Sequence, residues 1–114
     1  MTVPTIAQHF QGKHDLRKVY DKVIAIVEKF GPVEQDPKKT SIHLNRRTAF
    51  AGVALRKDCL ILTIKSDKAI HSPRIFKSEQ TSANRYHVEV RLTKAGDVDS
   101  ELRTWLESAY ELSI

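Results

Sequence analysis

The sequence predicts one α+β domain, a four-stranded antiparallel sheet with helices packed on one face, in the order α-α-β-β-β-β-α. Three observations predict it. Two stretches, residues 14–30 and 98–111, repeat apolar residues at helical spacing. Four others, residues 40–46, 50–56, 59–65 and 86–92, alternate apolar and polar with period two. The first three of these follow one another so closely that only antiparallel hairpins can join them. All 114 residues fit a single domain.

A short helix is expected over residues 5–11, opening after Pro4. In the next helix Leu16, Val19, Tyr20, Val23, Ile24, Val27 and Phe30 form one apolar stripe. Gly31-Pro32 stops it, because glycine accepts a left-handed cap and proline cannot continue a helix. In the sheet, a loop at Lys57-Asp58 pairs Leu55 with Leu60, Val53 with Leu62 and Ala51 with Ile64. A loop at Arg47-Thr48 pairs Leu44 with Ala51 and Ile42 with Val53. These registers bring every large aliphatic except Ile61 to one face. The fourth strand adds Tyr86, Val88, Val90 and Leu92 to that face. Residues 67–84 show no periodicity and read as a long loop, which in a compact domain is either functional or mobile. Ile70, Ile75 and Phe76 are expected to anchor it. The last helix takes Asp97 or Asp99 as its N-cap and buries Leu102, Trp105, Leu106, Ala109 and Tyr110.

Charge is unevenly spread. Residues 38–94 hold thirteen Lys and Arg against four Asp and Glu, a local balance of +9, while the whole chain carries +5. The excess falls on the sheet region, and this points to an anionic partner: a small anion or nucleic acid. The one cysteine, Cys59, rules out an internal disulfide and suits a reducing compartment. The N-terminus lacks the pattern of a secretory signal, and no apolar stretch approaches a membrane span. The expected location is the cytoplasm, with no membrane partner.

Period two also fixes the outward face. Ser41, His43 and Asn45 lie on the first strand, and Phe50, Gly52, Ala54 and Arg56 on the second. Cys59, Ile61, Thr63 and Lys65 lie on the third, and Arg85, His87, Glu89 and Arg91 on the fourth. His43, Gly52 and Thr63 fall in one cross-strand row, with Gly52 leaving a notch. Arg and Lys give charge-assisted hydrogen bonds to phosphate or carboxylate, and imidazole N–H groups add donors. The competing reading is a solvated face that keeps charges outward for solubility. His43, His87 and Glu89 are a 2-His-1-carboxylate set only if the fold brings them together. No phosphate loop, nucleophile elbow or zinc-protease motif occurs, so no cofactor and no catalytic residue is expected. Phe50 is the one aromatic ring expected on the outward face, a thin platform for stacking bases.

The run Pro37-Lys38-Lys39-Thr40-Ser41-Ile42-His43-Leu44 leads into Phe50-Ala51-Gly52-Val53 and Leu55-Arg56-Lys57-Asp58. Later come Ser72-Pro73-Arg74, Arg85-Tyr86-His87-Val88 and Trp105-Leu106-Glu107-Ser108-Ala109-Tyr110, after an opening His9-Phe10-Gln11-Gly12-Lys13. In order and spacing these resemble the small bacterial domains grouped as domain of unknown function 5655, also found at the C-terminus of predicted transport proteins. The resemblance carries no assigned reaction. It implies that the basic and histidine positions Lys39, Arg56, Arg74, Lys77, Arg85 and His87 recur in the family.

The expected function is a non-catalytic binding module. Its anion site is drawn from Lys39, His43, Arg56, Arg85 and His87, with Arg74 and Lys77 of the 67–84 loop closing over the ligand. The alternatives are nucleic-acid binding, a protein-interaction module pairing through a sheet edge, and an enzyme using His43 or His87 as acid–base.

Overall fold

The computed structural model describes residues 3–113. Thr5 opens helix α1 (Ile6–His9) with a reciprocal cap: its hydroxyl accepts from the Gln8 N–H, and the Gln8 side chain accepts from the Thr5 N–H. Helix α2 spans His14–Val27 and buries Leu16, Val19, Tyr20, Val23, Ile24 and Val27. It ends before Phe30 because its last bonds tighten: the Lys29 N–H reaches back to Ile26 and the Phe30 N–H to Val27. Gly31 then turns the chain at φ +146°, and the Tyr110 hydroxyl fills the space a Cβ would need there.

The sheet has six strands rather than four: β1 (Glu34–Pro37), β2 (Ile42–Asn45), β3 (Ala49–Leu55), β4 (Leu60–Ser66), β5 (Ile75–Ser82) and β6 (Arg85–Leu92). Their spatial order is β1-β2-β3-β4-β6-β5, antiparallel throughout. The hairpin registers expected for β2, β3 and β4 hold at Leu44↔Ala51, Ile42↔Val53, Val53↔Leu62, Leu55↔Leu60 and Ala51↔Ile64. Two strands escape period-two reading. β1 is short, polar and closed by Pro37, all of which suit an edge. β5 occupies eight residues of the expected 67–84 loop; every residue from Phe76 to Ser82 is exposed, so no apolar alternation marks it.

Three bulges shift side chains between faces. Leu44 pairs with Ala51 but Asn45 pairs with Ala49, so Phe50 is an extra residue on β3. Phe50 therefore turns inward, fully buried and edge-on to Tyr110 with ring centroids 5.3 Å apart, not outward as expected. Ala49 takes its place outside. Ile75 pairs with Val90 and Lys77 with Glu89, so Phe76 is the extra residue on β5. Phe76 does not anchor the segment. It is 47% exposed, and Ile70 and Ile75 pack against the core instead. The third bulge, between Gln80 and Ser82, closes the β5–β6 hairpin.

Asp97 closes a 3-10 turn over Ala95–Asp97, its carboxylate accepting from the Thr93 and Lys94 N–H groups at 2.8 and 3.2 Å. These hydrogen bonds, the Thr93 N–H first, hold its carboxyl below the usual range. Helix α3 (Ser100–Leu112) follows, with Asp99 as N-cap. α3 packs on β3, β4 and α2. One buried cluster joins α2, α3 and the inner sheet residues, including Ile42, Leu44, Val53, Leu60, Leu62, Ile64, Val88 and Val90. Leu55 and Trp105, expected fully inside, lie half-buried at its margin. No described helix is long and apolar enough to cross a membrane.

Candidate functional site

Helices cover the inner face of the sheet, and the side chains of the outer face define its relief. One row crosses all six strands: Asp36, His43, Gly52, Thr63, Glu89 and Lys77. At its centre β3 presents only Ala49, Gly52 and Ala54 outward, nothing larger than a methyl group. The adjoining strands stand higher. Ser41 and His43 rise on β2's side, Thr63 and Lys65 on β4, and His87 beyond them on β6. Together they enclose a shallow trough of about 300 Å³ with a largely apolar floor.

Gly52 at the centre of the trough has ample room. A Cβ there meets nothing nearer than the His43 ring and the Ile42 carbonyl, both at 3.9 Å, and its backbone is not left-handed. Neither packing nor conformation requires glycine at this position. In mid-strand it costs about 0.5–1 kcal/mol relative to alanine.

Lys65 is the trough's ammonium group. It lies opposite His87 across the β4–β6 ladder, and its Nζ donates to Thr48 at 3.2 Å and Ser113 at 3.1 Å. Burial, then the nearby Arg85 guanidinium, lowers its pKa from the ordinary lysine value. Carboxylates border the trough. Asp36 faces His43 and is bound by Lys38 at 2.8 Å; that hydrogen bond leads in holding its carboxyl low. Glu79 faces His87, and Glu89 stands beyond Thr63, 3.7 Å from the Lys77 ammonium.

A second depression, of about 470 Å³, opens at the other end of the same face, where Arg56, Cys59, Ile61, Phe76, Glu89 and Arg91 line it. The Arg91 guanidinium lies over the Phe76 ring, 5.0 Å from its centroid. Arg56 sits at the β3–β4 turn, which Lys13 ties to the α1–α2 connection by donating to the Arg56 and Lys57 carbonyls.

The seven expected site residues thus divide. His43 and His87 line the trough, and Arg85 lies close enough to Lys65 to act on its charge. Arg56 belongs to the second depression. Lys39 lies exposed in the β1–β2 turn. Lys77 is on the outer face but engaged with Glu89. Arg74 lies elsewhere: its guanidinium donates to Asp99 at 2.8 Å, to Glu101 at 3.2 Å and to the Asp97 carbonyl, 5.9 Å from the centre of the Trp105 ring. It fastens the β4–β5 connection to the start of α3 and does not close over the sheet. Ser41, Thr63 and Lys65 are trough members absent from the expected set, although their outward positions followed from period two. Ala49 was hidden by the bulge. No three His, Cys, Asp or Glu among the described residues form a group that can hold a metal ion. His43 and Glu89 are three strands apart, roughly 14 Å at strand spacing.

Comparison with curated proteins and with solved structures finds no match. One family model matches residues 6–113, nearly the whole chain: the chain belongs to the family described as Domain of unknown function (DUF5655).

Proposed function

We propose that the domain is a non-catalytic binding module that seats an anionic partner in the trough on the open face of its sheet. The observation that carries this reading is Gly52. A glycine that fold and packing leave free to be larger keeps the middle of a sheet face hollow, and the walls of that hollow are hydrogen-bond donors. Lys65, His43, His87, Thr63 and Ser41 suit phosphate or carboxylate oxygens. The Ala49-Gly52-Ala54 floor suits a flat apolar body attached to the anionic group. The carboxylate that faces His43, Asp36, is engaged by Lys38, which favours binding over catalysis.

The test is NMR titration with inorganic phosphate, di- and tricarboxylates, nucleotides and heparin. The expected result is shifts concentrated at His43, Gly52, Thr63, Lys65 and His87. Gly52→Leu, which fills the hollow, abolishes them while the rest of the spectrum stays that of the folded protein. Lys65→Ala weakens binding. Shifts scattered over the surface, or full binding by Gly52→Leu, count against the trough.

A further inference from the structure

We infer that the anionic partner is single-stranded nucleic acid, laid across the open sheet face from the Phe76–Arg91 pair to the His43–Lys65–His87 trough. This rests on the anion-binding reading above and names the class of partner.

Phe76 is the first reason. It is the only exposed Phe, Tyr or Trp among the described residues, and it is the extra residue of a bulge. The inner face makes no use of it. The Arg91 guanidinium already lies over its ring, 5.0 Å from the centroid, and an aromatic face that attracts a cation also offers a platform for a nucleobase. Ile61 beside it is apolar, and Arg56 supplies a cation at the rim.

Spacing is the second reason. Along β4, Ile61 lines one depression and Lys65 the other. Four residues of strand separate them by roughly 13 Å. A small anion fills one depression or the other; an elongated polyanion reaches both. Two carboxylates, Asp58 and Glu89, line the second depression beside Arg56, Lys57 and Arg91, and Glu89 is engaged by Lys77.

The shape of the face is the third reason. Among the described residues no helix lies on it and β6 is paired along its length with β4, so nothing projects into a duplex groove, and stacking on Phe76 requires an unpaired base. Residues 38–94, which supply both depressions, hold the chain's cationic excess.

The experiment is fluorescence anisotropy at low salt. The probes are labelled single-stranded DNA and RNA homopolymers of ten to twelve nucleotides, a duplex of the same length, and heparin as a polyanion without bases. Single strands are expected to bind more tightly than duplex, with affinity falling as salt rises. Phe76→Ala, an exposed position that does not endanger folding, is expected to lose about tenfold for single strands. It should leave heparin binding and the salt slope unchanged, and Phe76→Trp should retain full affinity. Arg91→Ala should lower the salt slope by about 0.7, the share of one neutralised phosphate on a single strand. If heparin and single strands bind alike and Phe76→Ala changes neither, the face binds anions without reading bases, and this inference fails while the binding module stands. A preference for duplex also overturns it. If neither heparin nor any small anion binds, the anion-binding reading fails with it.

Discussion

Phe50 and Phe76 occupy equivalent positions, each the extra residue of a β-bulge, and the two bulges send them to opposite faces of one sheet. Phe50 is fully buried against Tyr110, whereas Phe76 is 47% exposed beneath Arg91. The same amino acid therefore has two roles set only by local register.

Their truncations should differ accordingly. Phe50→Ala is expected to cost about 3–5 kcal/mol, through removal of a buried ring and the cavity left behind. Phe76→Ala should change stability by less than about 0.5 kcal/mol. Chemical denaturation of both variants checks this; a Phe76 variant as damaged as the Phe50 variant means that the ring is covered in solution.

Arg74 and Lys77, three residues apart, should also separate. Arg74 is largely enclosed and donates to Asp99, Glu101 and the Asp97 carbonyl, so Arg74→Ala is expected to cost about 1–2 kcal/mol. Lys77, more than half exposed and 3.7 Å from Glu89, contributes little, and Lys77→Ala should be nearly neutral. Thermal denaturation of the two single variants decides it; equal midpoints would mean that the Arg74 hydrogen bonds are not formed in solution.

Glycine substitutions divide in the same manner. Gly52→Ala should stabilise by about 0.5–1 kcal/mol, since the backbone is ordinary and the space is open. Gly31→Ala should destabilise by about 1–3 kcal/mol, because φ is +146° and the Tyr110 hydroxyl stands in the way of a Cβ. A destabilising Gly52→Ala would remove the argument that this position is hollow by choice.

Acid should unfold the protein through the start of α3. Asp97 is held low foremost by the Thr93 N–H, and Asp99 foremost by the Leu102 N–H and then by Arg74. Their folded pKa values lie below the unfolded value of about 3.9, so their contribution is complete above that pH and is lost as pH falls through the folded values. Stability should hold from pH 7 to about pH 5 and decline below about pH 4. Asp97→Asn and Asp99→Asn should each be less stable at pH 7 and show a shallower acid decline. An undiminished decline in both variants would assign the acid sensitivity elsewhere.

Much of the fold was legible because the β2–β3–β4 meander buries one face only. Period two and two short turns then leave a single register that brings Ile42, Leu44, Val53, Leu62 and Ile64 together. The stretch Ile75-Phe76-Lys77-Ser78-Glu79-Gln80-Thr81-Ser82 gave no such signal, since an edge strand exposed on both faces has no apolar side to reveal. Phe50 was misplaced because a bulge adds one residue without changing composition, and the facing of Phe50 and Ala49, at the turn end of β3, inverts. The His43–Gly52–Thr63 row was readable, because it lies on the far side of that bulge. Arg74 was not, because the acids that hold it are 25 and 27 residues further on and become neighbours only when α3 folds back. The sum of charge named a region of the chain, but it did not tell which cations were already engaged.

The position of β5 outside β6 bears on how the molecule avoids its own copies. A sheet margin with free N–H and C=O groups is a template on which a neighbouring chain can add a strand. β6, rich in buried valine and leucine, would be a hazardous margin. β5 covers it with eight mostly polar residues, and bulges near both ends break the straight hydrogen-bonding run that a second chain needs. The opposite margin, β1, is four residues long and ends in Pro37, which lacks the N–H that such pairing uses. Cutting the outer strand away, by deleting residues 75–84 and closing the gap with a short linker, should leave a chain that is prone to fibre formation before it is unable to fold.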